Sequence, residues 1–378
     1  MSETTAAEGS GGVTYASAGV DVEAGDRAVE LMKDAVCRAT RPEVLGGLGG
    51  FAGMFDASAL AAYRRPVLAT STDGVGTKVA VAQALDRHDT IGVDLVAMVV
   101  DDIVVTGAEP LFMTDYIACG RVVPERVAAI VSGIARGCEQ ARVALIGGET
   151  AEHPGLLEPD EYDVAGAATG VVEHDAVLGP QRVRVGDVVL GLASSGLHSN
   201  GYSLVRRVVA QAGWALDRHV DELGRTLGEE LLEPTRVYAA DLLDLLRTDG
   251  MDVHALSHVT GGGLAANLAR VLPPTAHARV DRTSWTPPPV FGLVSALGRV
   301  PPGDLERTLN MGVGFAVVLP ADRVPDATAV LDARGIRSWI LGEVLGSEDA
   351  PDAEGEVVRG AKGVDGGSVE LVGRHLTS

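Results

Sequence analysis

Two acidic segments and four glycine-bearing turns hold the residue types on which chemistry depends. Asp73-Gly74-Val75-Gly76-Thr77-Lys78 follows the apolar run Pro66–Thr72. Glycines at 74 and 76 let the backbone curl so that its N–H groups, Thr77 and Lys78 can meet an anion, while Asp73 is a candidate metal ligand. The spacing is not that of a GxxxxGK[ST] loop, and an Asp-Gly turn beside a solvated lysine is the alternative. Ile91–Val105 reads as a buried helix carrying Asp94, Asp101 and Asp102. At ~100° per residue, Asp94 and Asp101 lie within ~20° of each other and Asp102 about 80° from Asp94. Carboxylates on an apolar helix are costly to bury unless paired or bound to a cation. Mg²⁺, held through one or two carboxylates and phosphate oxygens, suits them, with one wet stripe as the alternative.

The glycine-rich turns lie elsewhere along the chain. Gly147-Gly148-Glu149-Thr150-Ala151-Glu152 ends an apolar strand and is a functional loop or a plain turn. Ser194-Ser-Gly-Leu-His198-Ser199-Asn200-Gly-Tyr202 crowds hydroxyls, an imidazole and an amide between strand and helix. It does not fit GxSxG, which argues against a hydrolase elbow; His198 is a candidate proton carrier, and a Ser-rich helix cap the alternative. His258-Val-Thr260-Gly261-Gly262-Gly263 is strand, glycine loop and helix start, a ready phosphate site. Gly261, Gly263, Ala266 and Asp281 mimic a dinucleotide fingerprint, but too late in the chain and without further βα units. His254 and His258 share one side of a strand with no third ligand nearby, so they read as structural rather than as a zinc pair. Gly46–Gly53, with Gly47, Gly49 and Gly50, is too glycine-rich for an element interior and reads as a mobile loop.

The elements that must position these residues alternate. Helices are read at Asp21–Thr40, Pro124–Gln140, Ser203–Ala212, Pro234–Leu246, Leu264–Val271 and Val324–Arg334. Strands are read at Leu111–Ala118, Val143–Gly147, 162–172, Val188–Ala193, Val253–Val259 and Val313–Leu319. This gives a mixed α/β protein of two lobes. The boundary falls in Leu178–Asp187: a tail over 1–12, an N-terminal domain over 13–178, a C-terminal domain over 179–345 and a tail over 346–378, with an acidic solvated turn at Glu348–Glu356.

Of 378 residues, 52 are acidic and 31 basic, a net charge of −21 that repels phosphate backbones and anionic lipid. Nucleic-acid and polybasic membrane roles are thereby disfavoured, and an anionic nucleotide would need Mg²⁺ and backbone N–H groups. Cys37, Cys119 and Cys138 form no CxxC pair, which excludes a disulfide framework or cysteine zinc site and suits a reduced cytoplasm. The acidic start lacks the basic and apolar regions of a secretory signal. Ile91–Val105, the most apolar stretch, is interrupted by three aspartates and is no membrane span.

Taken together, the segments resemble the phosphoribosylformylglycinamidine cyclo-ligase family, the aminoimidazole ribonucleotide (AIR) synthetases of purine biosynthesis. The likeness is carried by Tyr15–Asp21, Arg41–Gly50, Ser71–Lys78, His88–Met98, Gly107–Phe112, Gly147–Glu152, His198–Arg206, Pro234-Thr-Arg236 and His258–Gly263, in family order and spanning about residues 13–345. The resemblance implies a homodimer pairing its N-terminal sheets, with ATP phosphorylating the formyl amide oxygen of formylglycinamidine ribonucleotide before ring closure. It places ATP on Gly47, Gly49, Gly50, Asp73, Gly74, Thr77, Lys78 and Asp94, and Mg²⁺ on Asp73, Asp94 and Asp102. The ribonucleotide falls to Thr150, Ser199, Asn200, Arg236 and Thr260–Gly263, and catalysis to His198, Lys78 and Glu149.

Two positions depart from the pattern: Asp101 stands where Asn is expected, an extra anion near the metal or a surface residue, and Met311 stands where Cys is expected. Sister phosphotransferases and a catalytically silent nucleotide-binding protein are the alternatives. Selenophosphate synthetase would want a cysteine in Gly46–Gly53, and there is none.

Overall fold

The computed structural model describes residues 21–47, 49–346, 356–360 and 363–376. The expected 1–12 tail, and Tyr15–Val20 of the resemblance, lie outside these.

The first lobe opens on α1 (Val22–Arg38), capped by Asp21, whose side chain accepts from Ala24 N. β1 (Val44–Leu45) and β2 (Met54–Phe55) pair antiparallel and pinch the ends of the glycine-rich loop. β3 (Pro66–Gly74), α2 (Val79–Leu85), α3 (Ile91–Val104), β4 (Glu109–Cys119), α4 (Pro124–Ala141), β5 (Ala144–Glu152) and β6 (Tyr162–Glu173) follow. Their sheet runs β3-β6-β4-β5, antiparallel except for β4 beside β5. On β3, Val67, Ala69 and Ser71 turn towards the core while Leu68, Thr70 and Thr72 stay exposed, the period of a half-buried strand. α3 and α4 pack so tightly that a Cβ on Gly92 would overlap the backbone of Ile130 and Ile134.

The second lobe contains β7 (Asp187–Ala193), α5 (Tyr202–Ala212), β8 (His219–Val220), β9 (Arg225–Thr226), α6 (Leu227–Leu231) and α7 (Ala239–Leu246). β10 (Ala255–His258), α8 (Gly263–Arg270), β11 (Ala276–Asp281), α9 (Pro289–Gly298), α10 (Pro302–Thr308) and β12 (Val313–Pro320) come next. α11 (Val324–Ala333), β13 (Ser338–Gly346), β14 (Glu356–Arg359) and β15 (Ser368–Val372) complete it. The seven-stranded sheet runs β10-β12-β7-β13-β11-β15-β14, with β11 and β15 parallel and the other neighbours antiparallel. Its interior strand β12 is buried from Val313 to Leu319, and both sheet faces are covered.

Two readings of the sequence need correction here. Residues 346–378 are not simply a tail, because β14 and β15 join the sheet and Val369 is fully buried. The helix read from Pro234 begins only at Ala239, because side chains of α3 take up the N–H groups of the preceding segment.

Candidate active site

The acidic stripe of α3 docks the second lobe. Asp94 Oδ1 accepts from Thr235 N at 2.7 Å and Thr235 Oγ1 at 2.6 Å. About two turns further along the same face, Asp101 accepts from Tyr238 N at 3.1 Å and so caps the start of α7. The ~20° offset of these two carboxylates therefore serves a segment whose N–H groups have no helical partner. Asp101 is fully buried rather than at the surface. Burial pushes its carboxyl up to about 7, against the pull of the His258 charge and the Tyr238 and Ala239 N–H groups.

Lys78 completes this junction. Its Nζ donates to Asp94 Oδ1 at 2.8 Å, His198 O at 3.1 Å and Glu233 O at 2.6 Å, using all three protons. Both side chains are fully buried. Desolvation lowers the Lys78 ammonium and raises the Asp94 carboxyl, and each partner's charge opposes the shift in the other. Lys78 is thus a strut between the lobes, with its three protons committed to protein oxygens, while Asp94 Oδ2 has no hydrogen-bonding partner among the described residues.

His198 lies at the same junction, its Nδ1 buried and without a hydrogen-bonding partner among the described residues. It is buried at φ +62°, and its Nε2 accepts from Ser195 N at 3.1 Å. Burial, with the charges of His258, Lys78 and Arg236, holds the imidazole well below its ordinary value and keeps it neutral at pH 7. Arg236 donates to Gly335 O at 3.1 Å, so its bonded terminal nitrogen serves the second lobe. Ser199 donates to Val75 O, behind the 73–78 turn.

A second group of the expected residues converges. His258 Nδ1 lies 2.9 Å from Asp102 Oδ1, and its ring stacks on Phe315 at 5.4 Å. Burial alone would lower the His258 imidazole, but the Asp102 hydrogen bond and the charges of Asp101, Asp102 and Asp73 hold it above its ordinary value. Asn200 and Gly261 adjoin, since a Cβ on Gly261 would sit 3.2 Å from Asn200 Oδ1. Thr77 Oγ1 and Ser203 Oγ are 3.2 Å apart across the lobes. Gly262 (φ +108°) and Gly263 (φ +73°) turn the chain into α8, whose first N–H groups have no side-chain cap. Uncapped N–H groups at a helix start can receive an anion. His254 binds Asp187 at 2.7 Å and is structural, as read.

The third group lines a cleft of about 600 Å³ between α1, the glycine loop, the middle of β4 and the length of β5. Gly47, Gly49, Gly50, Glu149 and Thr150 all face it. So does Asp115, which the sequence reading passed over. Among the described residues its carboxyl has no hydrogen-bonding partner, and desolvation pushes it up to about 7. Its oxygens lie over the α-carbon of Gly148, where a Cβ would come within 2.7 Å of both. The signal was present: Met113, Asp115 and Ile117 share one strand face by period two, and the two neighbours are fully buried.

Among the described residues no group of three His, Cys, Asp or Glu side chains could hold a metal unaided. Asp73 and Asp102, both bearing on His258, still fit a Mg²⁺ ion that uses one or two carboxylates and completes its shell with phosphate and water.

Two lobes joined across an acidic helix, each presenting glycine turns, define an AIR synthase-like architecture. Residues 55–172 match the AIR synthase related protein, N-terminal domain, and residues 184–350 the corresponding C-terminal domain. Phosphoribosylformylglycinamidine cyclo-ligase of Geobacillus sp. (strain WCH70) is 50% identical over 342 residues, covering 90% of this chain and 98% of that protein. The cyclo-ligase of Anaeromyxobacter sp. (strain Fw109-5) is 52% identical over 349 residues, 92% and 99% of the two chains. The chain belongs to the phosphoribosylformylglycinamidine cyclo-ligase family. At the level of fold it resembles thiamine-monophosphate kinase from Stenotrophomonas maltophilia K279a (TM-score 0.62, 20% identity, 92% and 97% coverage). It also resembles hydrogenase maturation protein HypE in complex with ATP (TM-score 0.56, 19% identity, 89% and 88% coverage).

Proposed function

We propose that the protein is a ligase that closes the imidazole ring of formylglycinamidine ribonucleotide at the expense of ATP. The observation that carries this is the identity of about half the residues with cyclo-ligases through almost their whole length. In the reaction the formyl amide oxygen attacks the γ-phosphorus, an O–P bond forms and ADP leaves. The amidine nitrogen then attacks the activated carbon, phosphate leaves and the nitrogen loses a proton. An amide oxygen is a poor leaving group and its phosphate ester a good one, so the protein's task is positioning and charge neutralisation.

The ribonucleotide phosphate falls to Thr260–Gly263 at the start of α8, and Asn200 lies beside it. ATP falls to the glycine loop with Glu149 and Thr150, and Asp115 is a candidate proton acceptor in that cleft. Asp73 and Asp102 would hold Mg²⁺, which supplies neutralisation of phosphate charge. A homodimer through the open face of the four-stranded sheet accounts for exposed Leu68 (61%) and Tyr116 (41%). None of the described helices is long and apolar enough to cross a membrane, and a cytoplasmic enzyme fits the three free cysteines.

The test is simultaneous assay of ADP and the aminoimidazole with purified protein, Mg²⁺–ATP and formylglycinamidine ribonucleotide. Equal amounts of both support the reading; ADP without the aminoimidazole overturns it in favour of a sister phosphotransferase.

A further inference from the structure

Helix α10 is the floor beneath two loops of the second lobe. A Cβ on Gly263 would overlap the Glu306 carbonyl oxygen and lie 3.4 Å from that of Leu309. A Cβ on Gly201 would overlap the Leu309 side chain and lie 3.1 Å from the Thr308 carbonyl oxygen. Asn310 Nδ2 donates to Gly196 O at 2.9 Å, and its Oδ1 accepts from Ser194 Oγ at 3.3 Å. Residues 306–310 therefore set the height of both the 194–201 and the 260–263 loops.

The side chain of Glu306 ties this floor to the C-terminal segment. Its carboxylate accepts from Arg282 Nε at 2.7 Å and Nη2 at 2.8 Å, a two-pronged pair, and His375 Nε2 lies 3.0 Å from Oε1. Arg282 also donates to Leu371 O in β15. His375 meets the edge of Trp285 at 4.7 Å, and Trp285 Nε1 donates to Met311 O at 2.9 Å. Burial alone would raise the Glu306 carboxyl, but Arg282 and His375 hold it down at about 2, so it is anionic throughout the working range. Leu371 and His375 lie beyond residue 350, where the match to the AIR synthase C-terminal domain ends.

We infer that Glu306 is a positioning residue for the ribonucleotide, held in place by Arg282 and by His375 of the C-terminal segment. The chain's last strand and the residues after it thus brace the phosphate loop from behind. The inference rests on the reading of Thr260–Gly263 as that loop. Because the brace touches no reacting atom, its loss acts on binding of one substrate rather than on the chemical step.

The test measures kcat and both KM values for His375→Ala, His375→Gln and a chain ended after Gly373, which keeps β15 intact; thermal melting confirms folding. His375→Ala and the shortened chain should raise KM for formylglycinamidine ribonucleotide about tenfold, as loss of a hydrogen bond to a charged group implies, with kcat and KM for ATP within about twofold. His375→Gln, which restores a donor to Glu306, should recover most of the loss. Folded variants with unchanged KM, or an equal rise in KM for ATP, overturn the inference. Gly262→Val separates the two readings: an unchanged KM there overturns the phosphate-loop assignment and the inference with it, whereas a raised KM there beside an unchanged KM in His375→Ala overturns the brace alone.

Discussion

Replacing Lys78 by methionine should cost more in stability than any surface charge change, because the pair it breaks is closed off from water. Methionine keeps most of the stem and removes the charge, leaving Asp94 Oδ1 with the Thr235 donors alone. The carbonyls of His198 and Glu233 lose the Lys78 donor as well. Removing one partner of a buried ion pair costs about 3–5 kcal/mol, against a total stability of about 5–15 kcal/mol. At roughly 2–4 °C per kcal/mol for domains of this size, the melting temperature should fall by roughly 6–20 °C. Asp94→Asn strands the ammonium instead and should cost a similar amount. The double variant Lys78→Met/Asp94→Asn should cost less than the two singles together, by about 1–3 kcal/mol, since neither charge is then left alone. Urea unfolding of the four proteins gives the cycle, and ATP turnover is measured beside it. A Lys78→Met protein that melts within about 2 °C of the parent yet has lost ATP turnover would refute the strut and return Lys78 to the phosphates.

The remaining predictions concern the cleft and its loops. Asp115 has a folded value near 7 against an ordinary 3.8, so the unfolded chain binds fewer protons between those values and stability falls as pH rises through that window. Asp115→Asn should therefore gain on the order of 1–2 kcal/mol at pH 8, a figure discounted for the residue's partial exposure, while losing turnover; equal stability at pH 5 and pH 8 in both proteins argues against it. Gly148→Ala displaces the flexible carboxyl of Asp115 with little cost to folding, so urea midpoints should match while kcat drops. Gly263→Ala faces a fixed carbonyl at φ +73° and should lose about 2–4 kcal/mol, read from the same unfolding curves. The exposed Gly46–Gly53 loop, with Phe51 fully exposed, should be cut quickly by protease and be protected by ATP; equal cutting rates would speak against closure over the nucleotide.

Much of the fold was legible because its strong signals are local. The apolar period of α3, the proline that opens α4 and the glycine loop that ends at α8 all lie within a few residues of what they specify. What the sequence withheld was decided at long range. The spacing of Asp94 and Asp101 was visible, but their partners are backbone N–H groups 141 and 137 residues away. The same contacts explain why Pro234 does not open a helix: the donors at 235 and 238 are already committed to α3. β15 was hidden for a different reason. Glu370 interrupts an otherwise apolar pattern and reads as an exposed position, yet it is fully buried 3.6 Å from His277 on the neighbouring strand. Asp115 shows the opposite case, a carboxylate on a buried face whose periodicity was readable and whose charge no described side chain offsets. A long-range partner makes Asp94 a joint between the lobes. Asp115 has none among the described residues, which leaves both its oxygens available for chemistry in the cleft.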